Sequence, residues 1–307
     1  GSTDGTDEIV RRYASNGVEL LRMPERGGKT KAENAAARYL RGDIVVNTDA
    51  SIRILPDALK PLVSVFEDPT IGCASGRDMS VAPADSSGNE GESGYVGYEM
   101  SVRDLETSVR GIVGASGCFY AIRSHLHHLP LPESLSRDFA AALHTTEHGY
   151  RAVSVSDAVC VVPRSTSIKR EYRRKVRTIA RGMRTLWHKR ALLNPGRVGA
   201  FAWMLFSHKV CRWALPWVVL LGSVCLAWLA LEYTEMAVAF LLASVVVLLG
   251  TLGWMLDGRV ELPRILSIPA FLLMGNLAAG HAFLRVLAGG RDALWEPTRR
   301  EVVSSQQ

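Results

Sequence analysis

Up to residue 162, apolar positions come in short runs separated by stretches of helical period. Ile9, Val10 and Tyr13 recur at helical spacing behind small polar residues that can cap a helix. Residues 18–23 read as a short strand. The Gly27-Gly28 turn leads into an Ala-rich helix that stops at Gly42. Ile44-Val45-Val46 predicts a strand running into Asn47-Thr48-Asp49, and Pro56, a good first-turn residue, starts the next helix. A strand over 71–81, a polar loop over 82–94 and a helix over 95–109 follow. A glycine-rich turn then leads into a strand within 111–123, and another helix begins within 135–150. Strands and helices alternating at these lengths predict an α/β domain with a mostly parallel sheet.

Beyond residue 213 the pattern changes. Residues 214–231 and 236–256 are apolar stretches of 18 and 21 residues without a charge. About 20 such residues are enough to cross a bilayer core. Lys209 and Arg212 precede the first stretch, Arg259 and Arg264 follow the second, and the linker between them has no Lys or Arg. The positive-inside rule therefore puts these flanks, and the domain before them, in the cytoplasm of a multi-pass inner-membrane protein. A third stretch, 265–284, is interrupted by Pro269, Gly275-Asn276 and Gly280-His281. A plain crossing would carry the Arg-rich tail outside, so a broken, re-entrant or interfacial helix pair is the expectation there, with a simple span as the alternative.

Charge adds a further division. Residues 1–162 hold 16 Lys/Arg against 22 Asp/Glu, whereas 163–197 hold 12 Lys/Arg and the single acid Glu171. Within that strip Ile168, Tyr172, Val176, Ile179, Met183 and Leu186 recur every three or four residues, with arginines between them. This is the pattern of an amphipathic helix in the membrane interface, its arginines meeting anionic lipid. The adjoining apolar stretches favour lipid over nucleic acid as its partner. The expected organisation is a domain over 1–162, a basic interfacial segment over 163–213, a membrane region over 214–288 and a basic cytoplasmic tail over 289–307. Five cysteines without metal-ligand spacing read as reduced, structural thiols.

Asp49 is the first candidate for chemistry. A carboxylate at the carboxyl end of a strand in an open α/β sheet can reach a divalent ion on a bound diphosphate. It can equally cap the following turn.

The stretches GSTDGT, GGKTKAEN, GDIVVNTDAS, VGASGCFYAIR, SRDF and MLFSHKVCRW occur in one order, with apolar spans after them. In that order they resemble the membrane-bound glycosyltransferases of family 2, which have the GT-A fold and include synthases of cellulose, hyaluronan and other bacterial polysaccharides. The resemblance implies a Rossmann-like domain whose earliest base-binding strands precede Gly1, so that the domain here is incomplete at its amino end. It also implies Mg²⁺ or Mn²⁺, a nucleotide-diphosphate sugar such as a UDP-sugar as donor, and a glycan or lipid-linked acceptor.

Residue by residue, Lys29 matches the lysine facing the donor diphosphate, and Asn34 shapes the turn–helix junction. Asp49 matches the first Asp of the metal-binding DxD motif, and Ser51 stands where the second Asp is usual. Asp138 matches the catalytic base, with Arg137 in place of the preceding acid and expected to keep Asp138 ionised. Gly114, Ala115, Ser116 and Gly117 match the turn lining the acceptor site. Arg177 matches the arginine of a QxxRW motif and would touch the donor diphosphate, but Thr178 replaces its Trp, which puts processive synthesis in doubt. The implied activity is inverting transfer of a sugar to an acceptor hydroxyl. The alternatives are single addition to a polyprenyl phosphate and a degenerate GT-A module that binds without catalysis.

Overall fold

The computed structural model describes residues 1–81, 90–163, 167–260 and 262–290. Most of the predicted 82–94 loop and nearly all of the basic tail lie outside these residues. Helix α1 (Thr6–Arg11) is followed by α2 (Lys29–Ala37), strand β1 (Ile44–Thr48), the short β2 (Arg53–Ile54), α3 (Leu59–Ser64) and β3 (Ile71–Val81). The 20-residue α4 (Glu90–Val109) leads to β4 (Phe119–Arg123), α5 (Ser124–His127), α6 (Arg137–Glu147) and β5 (Arg151–Pro163). The basic helix α7 (Ile168–His188) precedes α8 (Pro195–Val198) and α9 (Ala200–Leu205). Through a π-helical turn over Phe206–Cys211, α9 continues into α10 (Arg212–Leu229), and α11 (Thr234–Leu256) and α12 (Arg264–Leu287) follow.

The strands form one sheet in the order β1-β4-β3-β5-β2. Alternation along β4 sorts the core onto its two faces. Phe119 and Ala121 pack with Ala58, Leu62 and Phe66 from the α3 region. Tyr120 and Ile122 face the other way, onto Leu126 of α5 and Ala141 and Ala142 of α6.

The sheet is mixed, not mostly parallel. Only β3 and β5 run parallel among the described pairings; β1–β4, β3–β4 and β2–β5 are antiparallel. Strand–helix alternation fixes the order of elements but not their direction. Here α4 and the turn after it return the chain so that β4 inserts between β1 and β3, against both. Residues 18–23 form no strand. Arg22 there turns to pair with Asp7 and to donate to Ser2 O, and no described strand pairs with the segment. Pro56 lies in a turn and α3 begins at Leu59, because Ala58 N first closes a turn onto Leu55 O. The 13-residue β5 was unpredicted.

Among the described residues three helices, 200–229, 234–256 and 264–287, are long and apolar enough to cross a membrane. The last is unbroken, contrary to the expected helix pair. Neighbours on two sides hold it: Gly250 and Gly253 of α11 lie so close that an added Cβ would come within 2.9 Å of Pro269 O and 2.6 Å of Leu266 O. Such close backbone approach gains contacts along the helix that offset the hydrogen bond forfeited at Pro269. On the other side, Ala278 and Ala282 pack on Val176 and Ala180 of α7. Much of the apolar stripe of α7 is thus taken by protein rather than left for lipid.

Candidate functional site

The site gathers at the β1 end of the sheet. Gly28, at φ +87°, turns the chain in a way that a side chain would strain, and α2 starts directly at Lys29. From there Lys29 Nζ donates to Asp49 Oδ1 at 2.6 Å and to Gly117 O at 2.8 Å. Two of its three donors are thereby used. Burial works against the Lys29 charge, but Asp49, Glu33 and Asp138 outweigh it and raise its pKa. Asp49 follows β1, and its N–H donates to Cys118 O, which fixes the strand tip beside the 114–117 turn.

Asp138 comes from the first turn of α6. Ser136, just before the helix, donates its hydroxyl to Asp138 Oδ1 at 2.6 Å. A Cβ on Gly117 would lie 3.0 Å from Asp138 Oδ2, so the glycine lets the carboxylate stand against the turn. Lys29, Asp49, Gly117 and Asp138 therefore meet, as the motif reading predicts.

The remaining candidates divide. Asn34 donates to Leu131 O at 2.8 Å and accepts from Arg137, tying α2 to the segment before α6. Ser51 lies on the exposed turn after β1. Gly114 faces Phe139 and Lys209, and Ala115 is buried in the core. The Ser116 side chain is directed into the fold: its hydroxyl donates to Asp78 at 2.6 Å and accepts from the N–H groups of Cys118 and Phe119. Ser116→Ala would strand these groups, and we expect a loss of about 2 kcal/mol in stability, read as a lower unfolding midpoint in denaturant. Arg177 lies half-buried on α7. Its neighbour one turn on, Arg181, makes the described contacts to the site's support, donating to Thr30 Oγ1 at 3.0 Å and Leu135 O at 2.6 Å.

Arg137 does not turn to Asp138. Its buried guanidinium donates to Asn34 and to His127 O, with Nε 3.3 Å from Glu33 Oε2. Glu33 was missed, although it sits one turn beyond Lys29 on the same face of α2. Burial pushes its pKa up to about 7, against the pull of Lys29 and Arg137 and with the push of Asp138 and Asp49. A carboxyl raised from 4.5 favours the folded state while protonated, and that contribution is lost as pH rises from about 4.5 through 7. Glu33→Gln should therefore match the parent at pH 4.5 and exceed it by up to about 3 kcal/mol at pH 8, measured by denaturant unfolding at both pH values.

A second charged cluster joins the domain to the first apolar span. Glu99 and Glu106 of α4 meet His208, Lys209 and Arg212, with His208 Nδ1 2.5 Å from Glu106 and Arg212 NH1 2.9 Å from Glu99. Burial opposes the Glu99 charge, but Lys209, His208 and Arg212 hold its carboxyl well below the usual range.

The described residues contain no group of three or more His, Cys, Asp or Glu placed to hold a metal. Asp49 is one carboxylate with Lys29 already on it, so a divalent ion fits here only with other oxygens, such as those of a diphosphate, completing its shell.

Residues 1–107 match the model of Glycosyl transferase family 2. An N-acetylglucosaminyltransferase of Rhizobium sp. (strain N33) is 35% identical over 78 residues, 25% of this chain and 17% of that protein. The chondroitin synthase of Pasteurella multocida (strain Pm70) is 30% identical over 112 residues, 36% of this chain and 11% of that protein. The chain thus matches well under two thirds of these relatives' lengths. A mannosyltransferase from Pyrobaculum calidifontis, solved with GDP-Man and Mn²⁺, superposes with a TM-score of 0.69 at 22% identity, over 94% of this chain and 75% of that one. That likeness shows a shared fold over nearly the whole chain, the GT-A-like sheet together with the apolar helices that follow it.

Proposed function

We propose that this chain, whose residues 1–107 match the model of Glycosyl transferase family 2, is an inverting glycosyltransferase of that family working at the cytoplasmic face of a membrane. The observation that carries the reading is the convergence of Lys29, Asp49, Gly117 and Asp138. The donor is a nucleotide-diphosphate sugar. Lys29, with one N–H to spare, would meet the diphosphate, and Asp49 would hold Mg²⁺ or Mn²⁺ beside it. When bound, that ion offsets the charge of the leaving diphosphate.

Asp138 receives the proton of an acceptor hydroxyl as that oxygen bonds to the sugar's anomeric carbon. The bond from that carbon to the diphosphate breaks, and the nucleoside diphosphate departs. A carboxylate in hydrogen-bond reach of the acceptor is the group such a displacement needs. Gly117 lets the Asp138 carboxylate stand against the 114–117 turn, where a glycan or lipid-linked acceptor would present its hydroxyl. Arg177 would add charge near the donor, and the exposed arginines of α7 would meet anionic lipid once the three helices span.

The test is incubation of the membrane-reconstituted chain with UDP-N-acetylglucosamine or GDP-mannose and Mn²⁺, scoring release of nucleoside diphosphate. No release from either donor, with UDP still binding, would favour the second reading, a module that binds nucleotide-sugar without transfer. Ser51 in the place of a second carboxylate is the feature on that side.

A further inference from the structure

The basic helix α7 does more than lie beside the domain. Hydrogen bonds of its Thr185 and Arg181 converge on the few residues that lead into α6. Thr185 is fully buried, and its Oγ1 accepts from Ser136 N at 3.0 Å. Ser136 in turn donates its hydroxyl to Asp138 Oδ1. One turn earlier on α7, Arg181 donates to Leu135 O at 2.6 Å, to Glu133 O at 3.3 Å and to Thr30 Oγ1 at 3.0 Å. Thr30 itself donates to Leu135 O at 3.0 Å. Residues 133–136 are therefore held from the α7 side and from α2, the helix that begins with Lys29.

Arg137 ties the first turn of α6 to Asn34 and His127 O, but the Ser136 side chain does not cap that turn. Ser136 is extended at φ −86° and ψ 112° and makes no side-chain cap to the helix backbone, because its hydroxyl is turned to the Asp138 carboxylate. The orientation of that hydroxyl depends on where Ser136 N points, and Thr185 is what it points to. The opposite face of α7 packs on α12 through Val176, Ala180, Ala278 and Ala282, and Tyr172 OH lies 2.9 Å from His281 Nδ1. A continuous run of contacts thus joins an apolar helix long enough to cross a membrane to the carboxylate at the centre of the site.

We infer that Thr185 and Arg181 are positioning residues for sugar transfer, setting Asp138 through Ser136 and residues 133–135. This inference rests on the transferase reading. Thr185→Val keeps the shape and removes the acceptor, so Ser136 N loses its partner and the loop is free to shift. A misplacement of about 1 Å at a catalytic group costs up to roughly 100-fold in rate.

The experiment uses the full chain in lipid with UDP-N-acetylglucosamine or GDP-mannose, whichever the parent turns over, and Mn²⁺. UDP titration counts the folded sites, so that kcat is per competent site. Thr185→Val should lower kcat roughly 10- to 100-fold with donor KM and UDP affinity unchanged within about twofold. Thr185→Ser, which keeps the hydroxyl, should recover most of the rate. Amide exchange over residues 133–139 should quicken in Thr185→Val and Arg181→Gln and stay near the parent in Thr185→Ser. In an Asp138→Asn background Thr185→Val should cause no further loss, since both act on one group. Parental kcat, or parental exchange over 133–139, in Thr185→Val overturns the positioning role while leaving the transferase reading standing. A parent chain that turns over neither donor overturns the transferase reading and this inference together.

Discussion

Asp138→Asn is expected to lower sugar transfer by about 10² to 10⁴, the range for loss of a positioned base, while leaving UDP binding close to that of the parent. The replacement is nearly isosteric. Its amide oxygen can still accept from Ser136 Oγ, so the start of α6 keeps the contact that orients it. The amide cannot take the acceptor proton. Initial rates at saturating donor, together with UDP titration, separate the two effects. Equal turnover by parent and variant would remove Asp138 from the chemistry. A proportional loss of UDP binding would instead place it in donor recognition.

The second large effect concerns Asp49. In the described arrangement its Oδ1 is held by the Lys29 ammonium at 2.6 Å, so a divalent ion arriving alone must compete with a fixed positive charge for one carboxylate. A diphosphate changes the balance, because it gives Lys29 a new anionic partner and supplies oxygens for the ion. Metal and nucleotide should therefore bind with positive coupling, at least about fivefold on each other's affinity. Calorimetric titration of UDP with Mn²⁺, with Mg²⁺ and in chelator measures it. Asp49→Ala should abolish the metal dependence. Ser51→Asp should raise metal affinity in the absence of nucleotide, and Lys29→Met should do the same while weakening UDP. Equal UDP binding by the parent in metal and in chelator would make Asp49 a partner of Lys29 only.

These two effects also bear on the charge pattern at the site. Lys29 and Arg137 sit among Asp49, Asp138 and Glu33 within a small region, with Arg137 buried and Glu33 half-buried. Removing the negative charge of Asp49 or Asp138 leaves Lys29 with less support, since both carboxylates favour its protonated form. In Asp49→Ala the chelator arm isolates the part of any change in donor affinity that needs the metal.

The sequence by itself determined most of the elements, though not β5, and singled out Lys29, Asp49, Gly117 and Asp138, which the fold brings together. The run Ile44-Val45-Val46 into Asp49, the glycine pair before Lys29, the glycines at 114 and 117 and the SRDF start of α6 are local features. Each follows from propensity, turn geometry or motif order within a short window. The apolar helices were legible for the same reason, since length and composition alone make a candidate span.

Only the tertiary structure decided how these pieces face one another. The direction of β4 depends on where α4 returns the chain, which no window of residues contains. The continuity of α12 depends on Gly250 and Gly253 of α11 and on α7 alongside. Ser116 reads as an acceptor-site residue until the fold sets Asp78 against its hydroxyl, and Arg137 reads as a neighbour of Asp138 until Glu33 and Asn34 draw it away. Glu33 and Arg181 carried only a weak signal, a spacing of four from Lys29 and from Arg177, and Thr185 lies four residues further on. Helical spacing tells which side chains share a face. What that face meets is set by long-range packing, where hydrogen bonds and charges join residues as far apart as Thr30 and Arg181.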